Sequence, residues 1–174
     1  MKTRILLVVF ALAVLSTTSK AQTPSQTPQP GPEVKRLQYY AGTWSTEYEI
    51  KMGGGKMATT DNSQMTMGGF FLVTHTDGNG FMGELKSLAV MGYDPRSKQY
   101  TYDAYNNFGE ADHYKGTVQG DTWTWTGEIQ SGSQTVSSRF IAKEVSPKMY
   151  TMKLEMMSGA NWVTVMEGKS TKTK

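Results

Sequence analysis

Ten short segments with strand character follow one another along the chain, and this succession constrains the fold more than any other feature. In the first segment, 44–50, Trp44 and Tyr48 lie on one side while Glu47 and Glu49 lie on the other. This alternation indicates a β-strand with one buried face. The other nine predicted strands are 56–67, 69–76, 85–93, 98–107, 111–119, 121–129, 134–144, 150–157 and 162–171.

Short turns join these segments, for example Asp77-Gly78-Asn79-Gly80 and Asp94-Pro95-Arg96-Ser97. Because loops this short favour antiparallel neighbours, and because closure removes exposed sheet edges, we predict an all-β fold: a single up-and-down antiparallel β-barrel of about ten strands. A barrel of that width leaves room for an interior cavity. Two questions stay open, namely whether the barrel closes completely and which face of the doubly apolar segments 70–73 and 162–166 points inward.

The first 32 residues are predicted to lie outside the barrel. Lys2 and Arg4 precede an uninterrupted apolar run over 5–15, and small residues precede a cut after Ala21. The run is shorter than the roughly 20 residues that span a bilayer, so we predict a signal peptide over 1–21 rather than a retained anchor. Residues 22–32 hold four of the six prolines and no large apolar side chain, which predicts a Pro/Gln-rich linker before a barrel domain at 33–171. The expected location is exported, periplasmic or secreted, in a bacterium.

Charge and cysteine content exclude two classes of protein. Removing residues 1–21 removes three of the 18 Lys and Arg residues and none of the 15 Asp and Glu residues, which leaves 15 of each sign. A neutral mature chain gives no reason to expect a nucleic-acid partner. The chain has no cysteine, so a disulfide-stapled fold is excluded and stability must come from a buried core.

An outer-membrane barrel is a further alternative, because it would share the export signal and the strand count. It needs a lipid-facing apolar band about 25 Å tall. In this chain Glu47, Arg139 and Lys153 recur on the faces opposite the apolar ones. We therefore predict a soluble barrel with no membrane span after cleavage of the signal peptide.

A short helix is predicted immediately before the first strand. Residues 33–40 follow a proline and place Val34, Leu37 and Tyr40 on one side. Gly42 permits a tight turn into the strand, and Trp44 then points inward at the same end. We predict that the helix covers one mouth of the barrel and that Trp44 plugs it; the alternative is an ordinary buried tryptophan.

Several short sequence elements carry a family resemblance. Gly42-Thr43-Trp44 resembles the Gly-x-Trp element of lipocalins and their calycin relatives. More closely, the chain resembles the bacterial family called domain of unknown function fifteen seventy-nine. The matching elements, in chain order, are Leu37, Gly42-Thr43-Trp44, Gly68-Gly69-Phe70-Phe71-Leu72, Gly92-Tyr93-Asp94-Pro95, Lys98 and Tyr100. The resemblance implies an exported lipocalin-like barrel with no settled activity, in which Gly42, Trp44, Gly92, Tyr93, Asp94 and Pro95 are structural.

The same family is similar to the nitrobindins, which are ten-stranded barrels that hold haem through a histidine near the C-terminal end. The two histidines of this chain, His75 and His113, both precede the last three predicted strands. No cofactor is therefore predicted, and haem stays an alternative. The spacing of the histidines and carboxylates matches no transition-metal site, so no metal ligand is predicted either.

Seven residues are predicted to line the interior and to contact a ligand: Tyr100, Tyr102, His113, Trp125, Phe140, Met152 and Leu154. Methionine fills irregular space, which suits a pocket for apolar molecules and equally suits a loosely packed core. Our first hypothesis is a barrel that binds a small, mainly apolar molecule in its interior.

Two other functions stay open. His113 can meet Asp103 or Tyr102 across a hairpin, which would give an enzyme with an acid–base site inside the barrel. Aromatic residues such as Trp123, if exposed, would instead suit a protein-interaction module. The sequence contains no nucleophile elbow and no dinucleotide fingerprint, so no catalytic residue is predicted.

Overall fold

The computed structural model describes residues 27–80, 83–131 and 133–174. The predicted signal peptide and residues 22–26 of the predicted linker lie outside these ranges. Helix α1 (Pro32–Arg36) runs into a 3-10 helix (Leu37–Tyr40), and a second 3-10 helix (Met67–Gly69) joins the second and third strands. The strands are β1 (Gly42–Ile50), β2 (Lys56–Thr66), β3 (Phe71–Gly80), β4 (Gly83–Asp94), β5 (Gln99–Asn106), β6 (Ala111–Gln119), β7 (Thr122–Ser131), β8 (Gln134–Ser146), β9 (Met149–Ser158) and β10 (Asn161–Lys172).

The strands form one closed antiparallel barrel in chain order, which confirms the predicted up-and-down barrel. Closure is made by β1 and β10, where Trp44 lies opposite Lys172 and Ile50 lies opposite Met166. A register shift between Thr164 and Met166 lets β10 turn Met166 inward, while Val163 remains exposed. In β3, Leu72 is the buried residue of the doubly apolar segment.

The barrel has a closed end and an open end. At the closed end, odd-numbered strands begin and even-numbered strands finish, and α1 with the 3-10 helix lies across it. The Tyr100 hydroxyl donates a hydrogen bond to the backbone oxygen of Glu33 at 3.0 Å, and Arg36 Nη2 donates to the backbone oxygen of Gly120 at 2.8 Å. Leu37, the first residue of the 3-10 helix, is completely buried. These contacts confirm that the short N-terminal helix covers one end.

Trp44 lies at the closed end, as predicted. Its side chain is 1 % exposed, and Nε1 donates a hydrogen bond to the backbone oxygen of Tyr40 at 2.8 Å. Gly42, two residues earlier, has a φ of 118°, and a Cβ there would lie 2.5 Å from the backbone oxygen of Lys174. The glycine is therefore required both by the backbone angle and by the close passage of the C-terminal residue.

Aromatic rings fill the space above the helix. Trp123 and Trp125 stack with centroids 5.9 Å apart, and the Tyr100 ring meets Trp123 edge-on at 4.8 Å. Trp123 is completely buried, so the exposed aromatic surface that would have suited an interaction module is not formed by this residue. Tyr93 packs against Tyr100 at 5.1 Å.

The Gly92 to Pro95 element shapes the hairpin between β4 and β5. A Cβ on Gly92 would lie 2.8 Å from the Phe71 ring, so a larger residue would push that ring away. Asp94 accepts hydrogen bonds from the Arg96 backbone N–H at 2.9 Å and from the Ser97 hydroxyl at 3.0 Å. The Arg96 N–H holds the pKa of the Asp94 carboxyl below its usual range. Pro95 is the first residue of the turn that these bonds stabilise.

Candidate functional site

The barrel encloses a cavity of about 290 Å³ to which all ten strands contribute side chains. It begins above Trp44 at the closed end and extends toward Asn106 and Asp112, which lie near the open end. A cavity of this volume is at the lower end of the range typical for small-molecule pockets.

One wall of the cavity is apolar. Trp125, Phe140, Met152, Leu154 and Met166 lie on successive strands β7 to β10 and present their side chains to it. Phe140 pairs with Leu154, and Trp125 pairs with Phe140, so the wall is continuous across the sheet. Cross-strand pairs of this kind are what bury one face of an antiparallel sheet.

Five of the seven residues predicted to line the interior do so: Tyr102, Trp125, Phe140, Met152 and Leu154. Tyr100 does not. It is buried, but it packs between Tyr93 and Trp123 and its hydroxyl bonds to the helix, which places it in the closed-end core beneath the cavity.

The prediction that His113 lines the interior is wrong. Its side chain is 63 % exposed, with Nδ1 2.7 Å from Asp103 Oδ1, so the anticipated cross-hairpin pair forms on the outer face. The reason is strand alternation, because Tyr114 faces inward and its neighbour must face outward. His75 is exposed as well. An acid–base site around His113 inside the barrel is therefore excluded.

The opposite wall is polar, and sequence reasoning missed its central residue, Asp61. On β2, Met57, Thr59, Asp61 and Ser63 alternate inward. The Asp61 carboxylate accepts a hydrogen bond from the Thr76 hydroxyl at 2.6 Å and another from the Thr46 hydroxyl at 3.3 Å. Burial raises the pKa of this carboxyl, and the hydroxyls of Thr76, Thr46 and Thr59 act against the rise. The part of its surface that stays accessible faces the cavity that it lines.

Three half-buried tyrosines lie within reach of the Asp61 charge. Burial raises the pKa of Tyr48, Tyr102 and Tyr150, and the charge of Asp61 adds to the increase for each. Their phenols therefore stay neutral at physiological pH and offer hydroxyls and ring faces, but no charge, to the cavity.

A second carboxylate lines the cavity toward the open end. Asp112 lies on the same face of β6 as Tyr114. Burial raises the pKa of this carboxyl, the nearby Glu110 charge adds to the effect, and His113 opposes it. Both carboxylates thus belong to the interior, whereas the predicted histidine does not.

Two further observations concern residues 27–80, 83–131 and 133–174. Among them, no three His, Asp or Glu side chains come close enough together to hold a metal ion. A helix with the length and apolar character needed to cross a membrane is not found in these ranges.

Comparisons with known proteins extend the fold assignment. The S-type phycobiliprotein lyase CPES from Guillardia theta is 7 % identical over 80 % of this chain and 92 % of its own, with a TM-score of 0.53. A de novo designed fluorescence-activating β-barrel is 13 % identical, covers 79 % of this chain and 96 % of its own, and has a TM-score of 0.47. EF1p2_mFAP2b bound to DFHBI is 8 % identical, covers 80 % of this chain and 98 % of its own, and also has a TM-score of 0.47.

The likeness to the lyase is one of fold.

No curated protein matches the chain. A protein family does match, with the description "Protein of unknown function (DUF1579)", over residues 29–172. These residues include the helix, all ten strands and both walls of the cavity, and they agree with the resemblance carried by the Gly42-Thr43-Trp44 and Gly92-Tyr93-Asp94-Pro95 elements. The chain therefore belongs to the DUF1579 family.

Proposed function

We propose that this protein is an exported barrel that binds a small, mainly apolar molecule in its interior. The observation that carries the proposal is the cavity of about 290 Å³ with one continuous apolar wall. A dry cavity of about 150 Å³ is large enough to bind benzene. The interior of this barrel therefore has room for a two-ring molecule.

The expected affinity follows from the apolar surface removed from water. A two-ring aromatic molecule with about 300 Å² of surface gains about 7 kcal/mol on full burial at 25 cal/mol per Å². Part of this gain offsets the loss of translational and rotational freedom. We therefore expect dissociation constants between about 10 µM and 1 mM for such probes.

The methionines provide a direct readout of interior binding. Met57, Met91, Met152 and Met166 line the cavity, whereas Met52 and Met67 are 60 % and 74 % exposed. In a titration of ¹³C-methyl-methionine protein with 2-naphthylmethanol, we expect the methyl resonances of the lining residues to shift. The two exposed methyl groups serve as internal controls and should not move.

A matched pair of variants locates the binding site. Ala104 lines the cavity, whereas Ala58 is exposed on the outer face of β2. Ala104→Phe fills part of the cavity and should weaken binding at least tenfold, while Ala58→Phe should leave it unchanged. Equal effects of the two substitutions, or shifts confined to Met52 and Met67, would refute binding in the interior.

Export is the second component of the proposal, and it is supported by the charged, apolar and small-residue pattern that ends at Ala21. Intact-mass measurement of the protein purified from its own host should give a chain that begins at Gln22. A mass that includes residues 1–21 in the purified protein would refute the proposed cleavage.

A further inference from the structure

We infer that the molecule bound in the cavity is an organic cation, with an apolar or aromatic body and a protonated amine that donates hydrogen bonds to Asp61. This inference rests on the interior binding proposed above and specifies the chemical class of the ligand. It is carried by four features of the cavity: its charge, its unused hydrogen-bonding groups, its aromatic rings and its apolar wall.

The charged side chains that line the cavity have one sign. Asp61 and Asp112 are both carboxylates, and no Lys, Arg or His side chain is among the lining residues that the structure describes. Lys172 Nζ lies 5.3 Å from the Trp44 ring centroid at the closed end and does not line the cavity. An anionic ligand would therefore meet like charges without a compensating cation, whereas a cation would be attracted.

Asp61 has hydrogen-bonding capacity to spare. A carboxylate offers about four acceptor positions. The bonds from Thr76 and Thr46 occupy two of them, and the Thr59 hydroxyl also acts on this carboxyl. A neutral, wholly apolar ligand would cover the remaining positions without replacing their contacts with water, which is unfavourable. An ammonium group has three N–H donors and can fill the positions that are left.

One other polar group in the cavity wall lacks a partner. Tyr40 Oη is buried without a hydrogen bond to any described residue, and the residue is 7 % exposed. Tyr40 lines the cavity. Because buried polar groups are nearly always paired in native proteins, this hydroxyl indicates that a polar group of an occupant belongs beside it.

Aromatic ring faces complete the environment of a cation. Tyr48, Tyr102 and Tyr150 line the cavity together with Trp44 and Trp125. The faces of such rings attract ammonium groups, and aromatic cages are used by proteins to bind quaternary ammonium ligands. The apolar wall on β7 to β10 then faces the body of the ligand. A bare metal ion does not fit, because the described residues lack the three clustered ligands it would need.

Two probes of equal shape test the charge requirement. 2-Naphthylmethylamine is protonated at pH 7, whereas 2-naphthylmethanol is neutral and carries one hydroxyl donor in its place. We expect the wild-type protein to bind the amine at least tenfold more tightly than the alcohol, a difference of about 1.4 kcal/mol. Binding is followed by the methyl resonances of the lining methionines and by calorimetry.

Asp61→Asn should reduce the affinity for the amine at least tenfold and change that for the alcohol less than about twofold. Asp77→Asn is the matched control, because Asp77 is exposed on the outer face of β3 and its loss alters the net charge equally. It should change neither affinity. Asp112→Asn should have a smaller effect on the amine than Asp61→Asn, since Asp112 lies nearer the open end.

The outcomes separate this inference from the proposed function. If the alcohol and the amine both shift the interior methionines with equal affinity, interior binding stands and the cation inference is overturned. If neither probe shifts them, the proposed function fails. Loss of the amine preference in Asp112→Asn but not in Asp61→Asn overturns the assignment to Asp61. Should Asp61→Asn fail to fold, the wild-type ratio of the two affinities still decides, and a ratio below about tenfold overturns the inference.

Discussion

Replacement of Trp44 by alanine removes the side chain on which the closed end is built. The indole is 1 % exposed, its ring lies 5.0 Å from that of Tyr150, and its N–H bonds to the Tyr40 backbone oxygen at 2.8 Å. Truncation of a buried tryptophan to alanine costs about 3–5 kcal/mol of unfolding free energy. The lost hydrogen bond accounts for about 1 kcal/mol of that cost. We expect Trp44→Ala to lower the free energy of unfolding by about 4 kcal/mol.

For a domain of this size, such a loss corresponds to a fall of about 8–16 °C in the melting temperature. Trp44→Phe keeps an aromatic ring but loses the N–H donor, so we expect a smaller loss of about 1–2 kcal/mol. Trp162→Ala is the control, because Trp162 is only half-buried and packs its ring against the Arg139 guanidinium, whose carbon lies 4.4 Å from the ring centroid.

Urea unfolding followed by far-ultraviolet circular dichroism is the appropriate assay, since tryptophan fluorescence would change with the substitution itself. A loss below about 1.5 kcal/mol for Trp44→Ala would contradict the plug role. An equal loss for Trp162→Ala would contradict it too.

Asp61→Asn should stabilise the protein relative to the wild type, and the difference should grow as pH rises. Burial raises the pKa of Asp61 in the folded state. The wild type therefore keeps its full free energy of unfolding below the unfolded pKa near 3.9 and loses part of it as pH rises through the folded pKa. Urea unfolding at pH 3 and pH 7 measures this, and a stability difference between variant and wild type that does not change with pH would disprove it. Gly116→Ala should cost about 1–3 kcal/mol, because a Cβ there would lie 2.4 Å from Trp125 Cε3. Adding Trp125→Leu should recover part of that loss, and strictly additive unfolding free energies would show that the two residues do not clash.

The architecture could be predicted from the sequence because its signals are local. Alternation in β1 and short turns such as Asp94-Pro95-Arg96-Ser97 define each strand without knowledge of its neighbours. The helix start at Pro32 and the last strand residue, Lys172, each fall one residue outside the predicted 33–171 domain. A barrel could be predicted, but complete closure could not, since it depends on the pairing of β1 with β10, and no local pattern encodes that contact.

The candidate site was only partly predictable, because its polar wall reverses the usual rule that polar residues face outward. Thr59, Asp61 and Ser63 alternate inward in β2, and hydrophobicity alone assigns them to the surface. One signal was present in the sequence. Met57, Asp61 and Met65 are separated by even numbers of residues and so lie on the same face of the strand. If the methionines face inward, Asp61 must face inward too. The same parity argument from Tyr114 would have placed Asp112 inside and His113 outside.

A crystal structure of the protein soaked with 2-naphthylmethanol tests the central claim most directly, because it locates a bound molecule without reference to any variant. We expect the naphthalene rings in the cavity against Trp125, Phe140 and Met152, with the hydroxyl directed toward Asp61. An interior filled by its own side chains, with the probe absent or bound only to the outer face of the barrel, would contradict a binding function for the cavity.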